Sequence, residues 1–487
     1  MQPKLELLSV ELISRILDEA YQLMINPGIK VLSMPARVLL AEAGAQIELN
    51  SDVVKIPEKV VRTAMNTVPK IFFLFNRLGE SKVTYGVNKV HFDPGSAAVH
   101  VMNPLTLEHK LAHTCDLIRL VKVAEILPQY DAQSTAVVCD DVPKDIGDLH
   151  RLYLVLLHSL KPIVTGAFSI KTLEAMIDLV ALVAGGRTAL AEMPQVIFDV
   201  CPSPPLIWSK FGADNLIALA CARVPAEIVS MPLAGAVSPV TLLGSVTQHA
   251  VECLSGITIH QLVKPGSPIV WGGAPAIFDM RKGTTPMSAV ETAMIDAAYA
   301  QVGKYLEIPT HCYLGASDSK VIDAQAGLES GVTAVIGALS RINIISGAEM
   351  LDFLACQSAE KLVIDAEAIA MARHLPAGIE VRTETMATAF FNDLDFRGDF
   401  LKQKSTRELF RSEQYIPSAI IDRNSVRGWQ QEGSLDTFER AKIITTQLIK
   451  DYQRPQIALE KEKELTHMVE GLALMAGMSK LPIMAKR

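Results

Sequence analysis

The chain has 487 residues, of which 49% are hydrophobic and 20% charged, and its formal net charge at pH 7 is −7. This balance excludes an intrinsically disordered chain, which has few apolar residues and many charges. The negative charge argues against a nucleic-acid-binding protein, which would carry a basic surface. The seven cysteines are scattered and never form a CxxC pair, which indicates reduced thiols in a cytoplasmic protein.

Residues 1–105 predict an α+β cap. Ser9 is placed to cap a first helix, which the sequence Asn-Pro-Gly at 26–28 ends, and a second short helix follows Pro35. Alternation over 45–56 predicts a small hairpin, and short β-rich pieces lie between 71 and 101. The start has no signal-peptide apolar region.

Apolar strands alternate with helices over residues 106–430, and this rhythm predicts a parallel sheet buried on both faces. Seven such strands approach the eight of a (β/α)₈ TIM barrel, and the eighth is not assigned. The absence of GxGxxG and Walker sequences argues against a doubly wound open sheet. Residues 431–487 predict a C-terminal helical extension. The longest charge-free run, 228–251, is broken by prolines and glycines, so we expect no membrane span. The predicted strands are 132–138, 162–168, 195–200, 226–231, 268–272, 309–314 and 342–345.

Conventional catalytic motifs are missing from the sequence. His109 and His113 stand four residues apart, with Glu108 and Cys115 beside them, which is a metal-ligand spacing if the segment is helical. No second cluster completes a metal site, so solvated helix residues are the favoured interpretation. There is no GxSxG elbow and no Ser/His/Asp order that would predict a hydrolase.

Aromatic and charged residues follow three of the predicted strands, where barrel enzymes place their working residues. The functional interpretation is an aromatic box that binds a cation. The structural interpretation is that the tryptophans pack under loops, that Asp318 caps a helix and that Lys320 is a solvated helix residue. The candidates are Trp208, Trp271, Phe278, Asp279, Tyr313, Asp318 and Lys320.

The segments IVWGGAPAIFDM at 269–280 and GASDSK at 315–320, followed by DAQAG at 323–327, resemble the trimethylamine methyltransferase (MttB) family. The resemblance spans nearly the whole chain and implies a TIM barrel. Founding members contain pyrrolysine, whereas all 487 residues here are standard amino acids. The resemblance therefore points to the branch lacking pyrrolysine, which transfers methyl groups from quaternary amines such as glycine betaine, proline betaine or carnitine. The acceptor in that branch is the Co(I) corrinoid (cobalamin) of a separate small corrinoid protein.

The resemblance also implies how the site works. Because the corrinoid supplies the nucleophile, the chain needs no tightly bound cofactor, no metal and no catalytic side chain that the sequence identifies. Trp208, Trp271, Phe278 and Tyr313 would surround the quaternary nitrogen, and Asp279 or Asp318 would supply the counter-charge. A substrate carboxylate would bind Lys320, Arg281 or Lys282. Some members carry a histidine where this chain has 343–349, and Ser346 or Glu349 would replace it.

Two other functions are compatible with the sequence. One is a barrel lyase or hydrolase that uses a metal, which metal analysis of the purified protein would reveal. The other is a catalytically silent paralogue that binds quaternary amines or scaffolds the corrinoid protein. We also expect the apolar chain with its helical ends to form a homo-oligomer.

Overall fold

A computed structural model describes residues 3–47, 51–382, 385–392, 396 and 400–482. The described α-helices are Val10–Ile25, Met34–Glu42, Glu58–Met65, Thr114–Ile126, Gly147–His158, Ile170–Ala184, Arg187–Glu192, Lys210–Ala222, Leu242–Val263, Val290–Tyr305, Ala324–Leu339, Ala359–His374, Lys404–Glu413, Val426–Gln431, Thr437–Asp451 and Leu459–Met475. Single 3₁₀ turns occupy Lys144–Ile146, Leu375–Ala377 and Thr388–Phe391. The two helices predicted after Ser9 and after Pro35 are present as Val10–Ile25 and Met34–Glu42.

Two all-parallel sheets form the centre of the fold. The five-stranded sheet has Gln133–Ser134, Ile163–Gly166, Val196–Val200, Ala226–Ser230 and Ile269–Gly273 in chain order. The three-stranded sheet has His311–Cys312, Ile344–Ala348 and His91–Pro94. A parallel bridge between Trp271 and Thr310 links the sheets at one end. At the other end the Asp131 N–H donates to the Phe92 carbonyl at 2.8 Å.

These eight parallel strands include all seven that the sequence predicts. The eighth is His91–Pro94, which lies inside the segment predicted as the cap and pairs with Ile344–Ala348. Its sequence alternates polar and apolar residues and ends in proline, so it lacks the continuous apolar run that identifies the others. The domain boundaries at 105 and 430 stay predictions.

The remaining strands are short and lie at the ends of the parallel sheets or in the N-terminal segment. An antiparallel hairpin, Phe72–Phe75 and Ser81–Tyr85, is the longest of them. The others are Ile29–Val31, Gln46–Ile47, Val53–Lys55, His100–Met102, His109–Leu111, Ile207–Trp208, Leu233–Ala234, Ala276–Ile277, Met350–Leu351 and Cys356–Gln357. The predicted hairpin over 45–56 is confirmed by the antiparallel pairing of Gln46–Ile47 with Val53–Lys55, and its turn lies outside the described residues.

The hairpin Phe72–Phe75 and Ser81–Tyr85 closes one end of the space between the parallel strands, and we call it the plug hairpin. Its buried residues Phe72, Leu74, Val83 and Tyr85 form one apolar cluster with Ala132, Val164, Ile197, Val270 and Ile344. The last five belong to the amino-terminal halves of parallel strands or directly precede one. The space is therefore filled at the amino ends and left free for polar groups toward the carboxyl ends.

Helices pack around the sheets, and their ends follow ordinary capping chemistry. The Ser169 side chain accepts from Thr172 N at the start of Ile170–Ala184, and Gly185, at φ 97°, ends it in a left-handed conformation. The C-terminal helix Leu459–Met475 packs on two outer helices, Gly147–His158 and Ile170–Ala184. No helix in the described ranges is long and apolar enough to cross a membrane.

A test of this packing uses two glycines in helices. A Cβ at Gly256 would lie 2.3 Å from Cζ2 of Trp208 and 2.8 Å from Cδ1 of Ile228. We expect Gly256→Ala to lower the free energy of unfolding by about 1–3 kcal/mol because the core has no space for the methyl group. Gly471→Ala is the control, since no atom lies within 4 Å of its added Cβ, and it should be neutral or stabilising by up to about 1 kcal/mol. Urea denaturation with equal midpoints for the two variants would contradict this.

Candidate functional site

A cavity of 480 Å³ lies at the carboxyl ends of the parallel strands. Residues just inside or after six of the eight strands line it, together with side chains from two surrounding helices. The lining includes Arg151, Phe168, Asp199, Phe211, Asn215, Met231, Tyr313 and Leu354. The carboxyl ends are where barrel enzymes hold their substrates.

Asp199, near the end of the strand Val196–Val200, supplies a carboxyl group to the cavity. Its Oδ2 accepts from the Tyr313 hydroxyl at 3.3 Å, and its Oδ1 receives no amide or hydroxyl hydrogen bond from the described residues. Burial raises the pKa of Asp199 to about 7, although hydrogen bonds with Glu227 and Tyr313 act in the opposite direction. The group therefore titrates near neutral pH.

Glu227 is the register partner of Asp199 on the next strand and begins a polar network. Its Oε1 lies 3.2 Å from Nδ1 of His311, and Nε2 of His311 lies 3.1 Å from the Ser346 hydroxyl. Ser346 in turn donates to Asp93. Burial lowers the pKa of His311 to about 3, so its ring is neutral.

The hydrogen bonds of this network bear on the tautomer of His311. Because Ser346 donates to Asp93, its oxygen accepts Nε2–H of His311, and this leaves Nδ1 of the neutral ring as an acceptor. Burial and the neighbouring Asp199 raise the pKa of Glu227 well above its ordinary value, and its Oε1 faces Nδ1 of His311. The raised pKa favours the neutral form of Glu227 next to the cavity residue Asp199.

Arg151 brings a positive charge to the same cavity from the helix Gly147–His158. It is 1% exposed; Nη1 donates to the Thr135 carbonyl at 2.9 Å, and Cζ lies 4.8 Å from the ring centre of Phe168. Its Nε and the Oδ1 of Asn215 make no hydrogen bond to the described residues. Buried polar atoms normally have partners, and these two atoms and Oδ1 of Asp199 depart from that rule within residues that line the cavity.

Apolar and aromatic side chains complete the lining. Phe168, Phe211 and Met231 are 47%, 40% and 37% exposed, and Tyr313 packs edge-on against His311 with ring centres 5.1 Å apart. A small ligand with an apolar body, a positive group and a negative group fits this combination of aromatic faces, a carboxyl and a guanidinium.

The structure places the two predicted tryptophans away from the cavity. Trp208 and Trp271 are fully buried. The indole N–H of Trp208 donates to the Ser255 hydroxyl at 2.9 Å, and that of Trp271 donates to the Tyr299 carbonyl at 3.0 Å. Both partners lie on outer helices, so the tryptophans pack strands against helices and do not form the predicted cation box.

Four of the other five predicted residues also lie outside the cavity lining. Of the seven candidates, only Tyr313 lines the described cavity. Asp279 binds Arg281 at 2.8 Å, and this contact lowers the pKa of Asp279 to about 2. Phe278 is half-buried, with its backbone N–H bonded to the Ala234 carbonyl.

Asp318 and Lys320 hold loops together. Asp318 accepts from the backbone N–H groups of Met287 and Ser288 at 3.0 Å each, and burial raises its pKa to about 6. Lys320 lies 3.7 Å from the ring centre of Phe353 and 3.6 Å from a carboxylate oxygen of Asp352. Neither matches its structural interpretation from the sequence, a helix cap and a solvated helix residue.

The histidine pair with metal-ligand spacing does not lie on one helix. His109 is on the strand His109–Leu111, with Nε2 bonded to the Lys320 carbonyl, and His113 precedes the helix Thr114–Ile126. Within the described ranges, no group of three or more His, Cys, Asp or Glu residues is arranged to hold a metal ion.

Sequence reasoning missed Asp199, Glu227 and Arg151. A signal for the two acids is present, because each is a charged residue within an otherwise apolar predicted strand. Such a residue is costly to bury and points to a special role. Arg151 gives no comparable signal, since an arginine in a helix is ordinarily exposed.

The chain matches the trimethylamine methyltransferase (MTTB) family over residues 1–471. It is 28% identical over 425 residues to trimethylamine methyltransferase MttB of Desulfitobacterium hafniense (strain DSM 10664 / DCB-2), covering 87% of this chain and 85% of the relative. It is 27% identical over 465 residues to the glycine betaine methyltransferase of Desulfitobacterium hafniense (strain Y51), covering 95% of this chain and 96% of the relative. The crystal structure of Methanosarcina barkeri monomethylamine methyltransferase (MtmB) has a similar fold, with a TM-score of 0.51, 12% identity and coverage of 77% and 76%.

The buried position of Trp271 gives a prediction about its role. We expect Trp271→Phe to lower the free energy of unfolding by about 1–3 kcal/mol, because the Tyr299 carbonyl loses its indole donor in a buried site. Ligand affinity should stay within about twofold of the original, since the ring does not line the cavity. Denaturation and ligand titration measure the two effects, and a large loss of affinity with unchanged stability would return Trp271 to the site.

Proposed function

Because the chain belongs to the trimethylamine methyltransferase family, we propose that it transfers a methyl group from a quaternary amine to the Co(I) corrinoid of a separate corrinoid protein. The proposed substrates are glycine betaine, proline betaine, carnitine and related compounds. The similarity to a glycine betaine methyltransferase over 95% of the chain supports this choice. So does the sequence, in which every residue is a standard amino acid.

The fold we propose for this activity is a closed (β/α)₈ barrel. Its support is the parallel pairing of eight strands in chain order, the bridge between Trp271 and Thr310, and the bridge between Ala98 and Val137 just beyond the first and second strands. In this arrangement the plug hairpin seals the bottom of the barrel, and the cavity opens at its carboxyl-end mouth.

The cavity's combination of charges is the single observation that carries the proposal. A betaine has a quaternary ammonium, which cannot donate an N–H hydrogen bond, and a carboxylate. Aromatic faces and a carboxyl attract the ammonium, and Phe211, Tyr313 and Asp199 supply them. Arg151 lines the same cavity, and its Nε has no hydrogen-bond partner among the described residues, so we infer that its guanidinium binds the carboxylate.

The residues of this chain bind and orient the substrate. The quaternary nitrogen leaves as a neutral amine, so no general acid is required for the C–N bond to break. The corrinoid supplies the electron pair that takes the methyl group. Asp199 and Arg151 fix the two ends of the zwitterion so that one methyl group faces the cavity mouth.

The mouth of the cavity must admit a partner. Leu354 lines the cavity within a turn, Asp352 to Leu354, in which three successive residues have left-handed φ angles between 50° and 67°. Such a turn costs about 1–2 kcal/mol per residue. It is held by the contacts of Lys320 with Phe353 and Asp352, and we propose that it forms part of the surface that meets the corrinoid protein. Assembly of the chain into a homo-oligomer stays a prediction.

The reaction can be tested directly. The purified chain is incubated with a reduced corrinoid protein and with glycine betaine, proline betaine, carnitine, choline and trimethylamine in turn. We expect the corrinoid absorbance to change on methylation with at least one carboxylated quaternary amine, less with choline and not with trimethylamine. Binding without methyl transfer would instead indicate a silent paralogue, and transfer from trimethylamine alone would contradict the proposal.

Phe211, which lines the cavity, and Phe73, which does not, have similar exposure and allow a test of the aromatic lining. Phe168 also lines the cavity, but Arg151 occupies one of its faces, so Phe211 is the better residue to change. We expect Phe211→Leu to raise KM for the quaternary amine by about 2- to 30-fold, the equivalent of roughly 0.5–2 kcal/mol for one aromatic face. Phe73→Leu, on the plug hairpin and 43% exposed, should leave KM unchanged. Equal effects of both variants would contradict the role of Phe211.

A further inference from the structure

How strongly the cavity binds a cation depends on the charge of its carboxyl group. Asp199 is the one carboxyl group among the described residues that line the cavity. Protein surrounds it so closely that burial raises its pKa to about 7. In the free protein near neutral pH it is therefore partly a neutral acid, which is a poor counter-ion for an ammonium group.

The groups that face Asp199 come from several elements. Glu227 is its register partner on the next strand, Tyr313 donates to it from the segment after His311–Cys312, and the charge of Arg151 reaches it from an outer helix. Asp199 in turn acts electrostatically on Cys201, two residues along the chain. Burial and the neighbouring Asp199 raise the pKa of Glu227 and so favour its protonated form, and burial raises the pKa values of Tyr313 and Cys201, so that both stay protonated. Asp199 is thus the group in this set that changes charge near pH 7.

We propose that Asp199 is a proton-linked counter-ion, which releases its proton when a quaternary ammonium group enters the cavity and takes one up after the methyl group has left. This inference rests on the proposed function. A cation within about 4–6 Å favours the ionised carboxylate, and Asp199 lines the cavity that such a cation would enter.

The charges and protons balance over one cycle. On binding, the carboxyl of Asp199 becomes a carboxylate, and its proton passes to the solvent. When the C–N bond breaks, the nitrogen keeps no positive charge, because the carbon leaves without the bonding electron pair. The buried carboxylate then faces a neutral tertiary amine, and one proton from solvent returns to Asp199 or to the amine. The site is neutralised again as the product leaves.

Isothermal titration calorimetry of the isolated chain tests this without the corrinoid protein. Tetramethylammonium and glycine betaine are titrated at pH 6 and pH 8, each in two buffers of different ionisation enthalpy. We expect close to one proton released per cation bound at pH 6 and close to none at pH 8. Tetramethylammonium should bind about tenfold more weakly at pH 6 than at pH 8, because a pKa of about 7 leaves only about one tenth of Asp199 ionised at pH 6.

Three variants identify the group that releases the proton. Asp199→Asn should release no proton, and its affinity for tetramethylammonium should be the same at pH 6 and pH 8. Glu227→Gln keeps an N–H donor toward His311, and this variant should still release the proton when a cation binds. Asp451→Asn, which changes an exposed residue bonded to Gln447, should behave as the original chain.

The outcomes separate this inference from the proposed function. Binding of either cation by the unmodified chain with no proton release at pH 6 overturns the counter-ion role and leaves the proposed function intact. Proton release that survives Asp199→Asn but is lost in Glu227→Gln also overturns it. Failure of both cations to bind at either pH overturns the inference together with the proposed function.

Discussion

The desolvation of carboxyl groups between the parallel strands is the constraint on which the site depends. Asp93, Asp199 and Glu227 all have pKa values raised by burial, and an ionised carboxylate without a partner is expensive in such surroundings. The protein limits this cost with protons and hydrogen bonds. Ser346 donates to Asp93, Tyr313 donates to Asp199, and His311 lies 3.2 Å from Glu227. Asp199 is the acid of the three that lines the cavity.

The fold arranges this chemistry in layers along the strands. The plug hairpin fills the amino ends with apolar side chains, the network from Glu227 to Asp93 occupies the middle, and the cavity lies above it. The polar layer and the cavity are in contact, because Tyr313 packs edge-on against His311 and donates to Asp199. The Tyr85 hydroxyl, which donates to Glu227 at 3.4 Å, connects the plug hairpin to the polar layer directly.

The sequence predicts the strand–helix alternation well because buried parallel strands are continuous apolar runs. It misplaces the cation site for a reason that strand geometry explains. Successive residues of a strand face opposite sides, and Val270 faces the interior cluster, so Trp271 must face the helices. The same rule applied to Ile197, which also faces that cluster, places Asp199 on the inside. Which residues face inward could therefore be read from the sequence once the strand register was known, but the register is set by pairing across the sheet.

The position of Arg151 was beyond sequence reasoning because it depends on a tertiary contact. Its guanidinium is buried by stacking on Phe168 and by donating to Thr135, and no local pattern predicts either partner. Under the proposed function, this arrangement separates the two ends of a betaine: a cationic end near Asp199 and an anionic end near Arg151. A quaternary nitrogen offers no hydrogen bond to Asp199, so charge and aromatic contact alone hold it. The tertiary amine that remains after methyl transfer has lost that charge, and the same cavity that attracts the substrate then has little reason to retain the product.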